Sequence, residues 1–263
     1  MTDTSRRSSI LVIAGLDPSG GAGILADTRV AAHRGYRTVG VVTGLTEQDT
    51  GGVRNANAVS PEIVASQLRT LLSDVEVAAV KIGMLGSEAI AQAVADGLAL
   101  TRAPVVWDPV LLPTRGRVAL YEGSPSRAVQ LLMPHVTVAT PNLHEAVALA
   151  GGAAIEDVAG MTRAAKAVRS AGMEAVLVTG GHLEDRAAGA IDVLAWSGGV
   201  EVLEGAWVQG DSVHGTGCAL STALACGLAG GASLPDACRA AKAFVAERLR
   251  DAVSPGRGMK AIV

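Results

Sequence analysis

Ile10-Leu11-Val12-Ile13-Ala14, followed by Gly15-Leu16-Asp17-Pro18-Ser19-Gly20-Gly21-Ala22-Gly23, is the stretch on which the fold turns. An uninterrupted apolar run rich in β-branched residues suits a strand buried on both faces. The glycines that follow break the strand and permit a sharp turn. Helical patterning then runs over Gly23–Arg34. The unit is strand, glycine turn, helix.

The same unit recurs along the chain. Thr38–Thr43, Ala78–Ile82, Val105–Trp107, Val136–Ala139 and Ala175–Thr179 read as further strands. Pro61–Ser73, Ser87–Ala99, Ser124–Met133, Leu143–Ala150 and Ala159–Ala171 read as the helices between them. This alternation predicts an α/β fold, built of βαβ units around a mostly parallel sheet with both faces covered. Ile191–Ala195 and Val200–Gly205 flank Ser197-Gly198-Gly199 and read as a hairpin. Two helices, Thr216–Gly230 and Leu234–Asp251, close the chain. No repeat, low-complexity tract or linker divides it. The expectation is a single domain over residues 1–263, with residues 1–8 as a flexible N-terminal tail.

Bulk properties narrow the function. The chain has 263 residues, enough for a substantial core. Apolar residues make up 49% but aromatics only 2%, so that core is aliphatic. The net charge of −3 and the scarcity of aromatics argue against nucleic-acid binding. The three cysteines, Cys218, Cys226 and Cys238, are too few and too odd in number for a disulfide framework. Cys226 and Cys238 read as small core residues. Ser5-Arg6-Arg7 superficially resembles a twin-arginine signal, but the apolar run after it is short and Asp17 interrupts it. No apolar stretch reaches membrane-spanning length. The expectation is a soluble cytoplasmic protein.

Ligands in parallel sheets bind beyond the carboxyl ends of the strands. After the last predicted strand stands His214-Gly215-Thr216-Gly217-Cys218, opening the small-residue helix Ala219–Ala225. A helix N-terminus with glycines offers free N–H groups and a positive dipole end to an anion such as phosphate. Cys218 sits in that field, which would lower a thiol from about 8.5 toward neutrality. Phosphate cradle and candidate base thus share one helical turn, which outlines a phosphoryl-transfer site.

The other strand ends are less specific. Gly15–Gly23 opens like a phosphate loop, but Gly21 stands where that motif needs Lys; a tight strand-to-helix turn is the alternative. Asp27 reads as an exposed acid in the first turn of its helix. Gln48, in Thr46-Glu47-Gln48-Asp49-Thr50-Gly51-Gly52, offers a donor and an acceptor to an aminopyrimidine edge, and the segment otherwise reads as a solvated turn. Asp108 and Glu145 are acids at strand ends able to hold Mg²⁺ on nucleotide phosphates. Asn142 and Glu145 equally form a helix-capping pair. Thr179-Gly180-Gly181-His182 offers a hydroxyl and bare backbone to a nucleotide. His214 and His182 lie nearest the glycine motifs, and no Cys/His spacing suggests zinc.

Together these segments resemble the hydroxymethylpyrimidine and phosphomethylpyrimidine kinases of thiamin biosynthesis, within the ribokinase-like superfamily. The most specific parts are Ala14-Gly15-x-Asp17-Pro18-Ser19-Gly20-Gly21-Ala22-Gly23-Ile24-x-Ala26-Asp27, Gln48-x-Thr50, Lys81-Ile82-Gly83-Met84-Leu85, Asp108-Pro109-Val110, Thr140-Pro141-Asn142-Leu143-x-Glu145-Ala146, Gly180-Gly181-His182 and His214-Gly215-Thr216-Gly217-Cys218. The resemblance implies a three-layer α/β/α ribokinase-like fold. It implies ATP-dependent phosphorylation, assisted by Mg²⁺, of 4-amino-5-hydroxymethyl-2-methylpyrimidine and then of its monophosphate, commonly by a homodimer. It places Gln48, Gly15, Asp27, Met84 and Val110 at the pyrimidine, and Thr179, Gly181 and His214 at the nucleotide. Asn142, Glu145 and Asp108 fall at the metal, Gly215, Thr216 and Gly217 at the anion hole, and Cys218 at the catalytic base.

The chain departs from the family pattern in three places. Thr179 stands where Lys is usual, Leu111–Arg117 replaces the usual flap sequence, and Asp211-Ser212-Val213 precedes His214. Arg115 or Arg117 could bind the monophosphate in the second step. The nearest enzyme alternative is a pyridoxal or pyridoxamine kinase, and a different class is a non-catalytic pyrimidine or nucleotide sensor.

Overall fold

The computed structural model describes residues 8–111, 118–152, 154–181, 183, 189–208 and 213–262. The first unit forms as its sequence predicts, with strand β1 (Ser9–Leu16) and helix α1 (Gly23–His33). Residues Ile10, Leu11, Val12 and Ile13 are fully buried. Successive strand residues face opposite sides of a sheet, so β1 feeds two cores. Leu11 and Ile13 join one cluster, and Ile10, Val12 and Ala14 join the other.

The first half continues with β2 (Arg37–Asp49), β3 (Gly52–Ala58), α2 (Pro61–Asp74), β4 (Val77–Ile82), β5 (Gly86–Ser87) and α3 (Glu88–Leu98). Next come β6 (Val105–Trp107), β7 (Tyr121–Glu122), α4 (Pro125–Leu132), β8 (Val138–Ala139), α5 (Leu143–Ala150) and α6 (Val158–Ser170). The chain then makes β9 (Val176–Thr179), β10 (Ala190–Trp196), β11 (Gly199–Gly205), β12 (Val213–His214), α7 (Thr216–Ala229), α8 (Leu234–Arg250) and β13 (Lys260–Ala261).

The main sheet runs β11-β10-β9-β8-β6-β4-β1-β2-β3 among the described residues. Its interior strands, β9 to β2 in that order, pair in parallel, while β3, β10 and β11 join antiparallel at the margins. Helices α2 to α6 contribute Leu68, Ile90, Leu132, Ala146 and Met161 to the core on one face. Helices α1, α7 and α8 contribute Val30, Ala223 and Ala237 to the core on the other. Two helical layers therefore sandwich the sheet, as expected for a three-layer α/β/α fold.

Strand β1 lies between β2 and β4, so successive units leave it in opposite directions. A crevice opens beyond the carboxyl ends of strands at such a reversal. The Gly15–Gly23 loop and the segment after β4 both end there.

One local expectation is corrected. Thr46–Gly52 is not a solvated turn: β2 continues through Asp49 and pairs with β3 as an antiparallel hairpin. The tip is Thr50-Gly51 instead, and its Thr50 backbone and side-chain oxygens accept N–H groups of Met259 and Gly258. The ladder shifts register between Glu47 and Gln48, a bulge that re-aims the Gln48 side chain. No described helix is long and apolar enough to cross a membrane.

Candidate active site

The crevice at the reversal brings together Gly15, Asp17, Gln48, Met84, Asp108, Val110, Asn142, Glu145, His214 and Gly215–Cys218. A second cavity adjoins it, lined by Thr179, Gly181, Asp192, Trp207, Val208, Lys242 and Leu249. The two share Thr179, Thr216 and Gly217. Every site residue expected from the sequence lines one cavity or the other, with the exception of Asp27.

Asp27 is a correction. It is fully buried, not an exposed first-turn acid. Its Oδ2 accepts from Lys81 Nζ at 2.8 Å, and its Oδ1 accepts from Thr222 Oγ1 at 2.7 Å. Lys81 is itself fully buried and reaches the cleft wall. Burial disfavours its charge, but Asp27, Cys218 and Asp108 crowd around it and hold the ammonium well above the usual lysine range. The sequence carried a signal for this pair. A lysine inside a strand apolar on both faces must meet a buried acid, and Lys81 shares its strand face with Ala79, which packs toward α1 and α7.

The α7 N-terminus has the geometry of an anion cradle. Gly215 is its N-cap at φ +86°, where a Cβ would overlap the carbonyl oxygen of Gly21. Only glycine fits, so the two glycine loops close on one another and the amides that follow stay free of side chains. Cys218 lies three residues into the helix, with Asp108 and Lys81 beside it.

The expected lowering of the Cys218 thiol does not occur. Burial pushes it up to about 12; Asp27 and Asp108 add to this, while Lys81 and the Gly23 N–H oppose it. Removal from water and two nearby acids outweigh the ammonium and the Gly23 N–H. Asp108 accepts from Cys218 and from Ser221 Oγ, the latter at 3.3 Å.

Two acids, Asp108 and Glu145, line the cleft close enough to interact. Burial raises Asp108 to about 6, with Lys81 pulling against it and Asp27 adding to it. Burial, then the charge of Asp108, raises Glu145 to about 8. Asn142 and Glu145 form the anticipated capping box at α5: Asn142 Oδ1 accepts the Glu145 N–H at 3.0 Å, and Glu145 Oε2 accepts the Asn142 N–H at 2.9 Å. The box engages Asn142 Oδ1 and Glu145 Oε2 alike, and Asp108 and Glu145 bring carboxylates to the same cleft. Mutually repelling, buried oxygen acids suit a hard divalent ion, which commonly takes one or two carboxylates together with phosphates. The described residues hold no cluster of three His, Cys, Asp or Glu side chains at metal spacing.

The remaining polar residues hold the loops. Asp17 accepts the N–H groups of Ser19 at 2.8 Å and Ala22 at 3.0 Å, pinning the glycine loop. It also lies 2.9 Å from His214 Nε2, which in turn lies 2.9 Å from Gln48 Nε2. Parallel pairing of β12 with β13 fixes His214. In the second cavity, Lys242 bonds Asp192 at 2.7 Å and supplies a cation where Thr179 has none. Asp17, Lys81 and Lys242 were not anticipated as functional, because each acquires its place from partners distant in sequence. His182, Arg115, Arg117, Asp211 and Ser212 lie outside the described residues, as do residues 1–7 of the tail expected over residues 1–8.

Comparison with known proteins fits this geometry. The family model for phosphomethylpyrimidine kinase matches residues 17–263. A hydroxymethylpyrimidine/phosphomethylpyrimidine kinase of Rhizobium meliloti is 40% identical, covering 94% of each chain. The crystal structure of a phosphomethylpyrimidine kinase from Clostridium difficile 630 superposes at TM-score 0.77 with 30% identity, over 92% of this chain and all of that one. An ADP complex of Bacillus subtilis pyridoxal kinase superposes at TM-score 0.86 with 30% identity, over 97% of this chain and 96% of that one. With the model match and these relatives spanning almost its whole length, the chain belongs to the phosphomethylpyrimidine kinase family, on a ribokinase-like α/β fold.

Proposed function

We propose that this protein transfers the γ-phosphoryl group of ATP to the hydroxymethyl oxygen of 4-amino-5-hydroxymethyl-2-methylpyrimidine, and then phosphorylates the resulting monophosphate. The observation that carries this reading is the meeting of two cavities at Thr216 and Gly217, at the start of α7. One cavity holds Gln48 and the aliphatic side chains of Met84 and Val110, which suit a small heteroaromatic ring. The other is mainly apolar with one ion pair, which suits a nucleotide base with its phosphates directed toward α7. Donor and acceptor thus converge on one helix N-terminus.

Phosphoryl transfer is chiefly positioning and charge neutralisation. Gln48 hydrogen-bonds the ring edge and turns the hydroxymethyl group toward Cys218. The Gly215–Gly217 amides stabilise charge on the transferring oxygens. Thr179 and Lys242 face the nucleotide. Asp108 and Glu145 would hold Mg²⁺, which would supply positive charge to the phosphate oxygens and offset the acids that add to burial in keeping Cys218 protonated. Cys218 passes its own proton to Asp108, which accepts from it, and the thiolate takes the hydroxyl proton as the O–P bond to the acceptor forms and the bond to the departing ADP breaks. The family resemblance extends the reading to a homodimer.

The test is a panel of acceptor alcohols with ATP and Mg²⁺, with products identified by mass. Pyrimidine-dependent ATP consumption yielding a monophosphate and then a diphosphate is expected. Preference for pyridoxal, or no acceptor-dependent turnover, would overturn it.

A further inference from the structure

The Gln48 carboxamide lies between two neighbours that are already committed. Its Nε2 lies toward His214 Nε2 at 2.9 Å, and its Oε1 toward Thr46 Oγ1 at 3.2 Å. Asp17 Oδ2 also lies 2.9 Å from His214 Nε2, and an ionised carboxylate can only accept. Burial raises the Asp17 carboxyl, but bonds from His214 and Ser19 outweigh it and hold the group below its ordinary value, so it is ionised at neutral pH. His214 Nε2 therefore carries a hydrogen. His214 Nδ1 is buried without a partner among the described residues. A bare lone pair there costs less than an unmet N–H, which favours the same tautomer.

Thr46 is constrained in the same way. Its hydroxyl lies 3.1 Å from the Leu16 carbonyl oxygen, which also only accepts. A hydroxyl has one hydrogen, and Leu16 takes it. Toward Gln48, then, His214 presents the one Nε2 hydrogen that it shares with Asp17 in a three-centre bond, and Thr46 presents a lone pair. With Nε2 toward His214, two donors face each other and Thr46 lacks a hydrogen for Oε1. A half turn of the amide removes both conflicts, since its two ends are alike in shape. Every donor in the chain Asp17–His214–Gln48–Thr46–Leu16 then meets an acceptor.

We propose that Asp17, His214 and Thr46 are positioning residues that lock the Gln48 carboxamide with its oxygen toward His214 and its NH₂ toward Thr46, so that the cleft accepts a 4-aminopyrimidine edge and rejects the 4-oxo edge. The proposal rests on Gln48 facing the ring, as in the function above. Each end of the amide keeps one free hydrogen-bonding position for a ligand. The aminopyrimidine edge sets its amine on the oxygen and its ring nitrogen on the NH₂. The 4-oxo ring, protonated on that nitrogen, presents the reverse order. A freely turning glutamine would serve both rings, whereas a locked one leaves like groups opposed in a desolvated cleft.

Two measurements test this. In ¹⁵N-labelled protein, nuclear Overhauser effects should connect the Gln48 side-chain NH₂ with the Thr46 γ-methyl. Contacts to the His214 ring in their place would overturn the lock, whatever the substrate. Separately, kcat/KM is compared for the 4-amino and 4-oxo hydroxymethylpyrimidines in wild type, His214→Leu and Thr46→Val. Wild type should prefer the amino ring by on the order of 10²-fold or more. Each variant should cut that ratio at least about tenfold, because the amide is free to turn. An unchanged ratio in both variants overturns the proposal. If neither ring is phosphorylated by wild type, the substrate reading falls and the claimed discrimination falls with it, while the NMR result still judges the lock.

Discussion

Replacing Lys81 by Met should destabilise the protein in a manner that grows with pH. Lys81 and Asp27 are both fully buried and bonded at 2.8 Å, and without the ammonium Asp27 keeps only the Thr222 hydroxyl. A lone carboxylate in a dry core escapes by taking a proton. From its ordinary value of 3.8, protonation costs about 1.4 kcal/mol per pH unit above that point. The cost is about 1.6 kcal/mol at pH 5 and about 4 kcal/mol at pH 7. The second figure matches the roughly 3–5 kcal/mol measured when one partner of a buried pair is removed. As for the sign, the folded variant retains a proton that the unfolded chain releases, so folding stability falls as pH rises above 3.8. The loss continues until Asp27 ionises in the folded state.

Urea unfolding at pH 5, 6 and 7 reads this directly, as the difference between wild type and Lys81→Met. That difference should widen by about 1.4 kcal/mol per pH unit. Adding Asp27→Leu to the variant removes the stranded acid, so the double variant should recover much of the loss and show no such slope. A pH-independent difference, or a double variant no better than the single one, would refute the reasoning.

Three further outcomes follow from the site. Cys218→Ala should lower kcat by about 10²-fold or more while ATP affinity, read by calorimetry, stays within a few-fold; near-normal turnover would remove Cys218 from the base role. Glu145, raised to about 8, favours its protonated form when folded, so its contribution to stability is full below about 4.5 and lost as pH climbs toward 8. Glu145→Gln keeps a carbonyl for the Asn142 N–H and removes the charge, so without added cation it should raise Tm by several degrees at pH 8 and little at pH 4.5. Equal shifts at both pH values would count against the repulsion from Asp108. Gly215→Ala forces a side chain into a left-handed conformation against Gly21, which should cost about 2 kcal/mol or more and abolish the rise in Tm on adding ADP.

What the sequence determined by itself is what depends on near neighbours. The β1–loop–α1 unit, the Asn142/Glu145 capping box and the glycine entry to α7 are all decided within a few residues. Backbone sterics, side-chain periodicity and local hydrogen bonds fix them. The Gln48 hairpin was harder, since the β3 strand that extends it buries only Val53, and the segment therefore reads as a turn. Charge states and side-chain placement were not legible. Asp27 meets Lys81 and Thr222, Asp17 meets His214, and Cys218 meets Asp108, each across wide separations in the chain. Desolvation and Coulomb interaction depend on distance in space and on exclusion of water, neither of which the order of residues records. The tertiary structure therefore decided that Asp27 is a buried ion-pair partner, that Cys218 rests as a thiol, and that Gln48 stands beside His214 and Thr46.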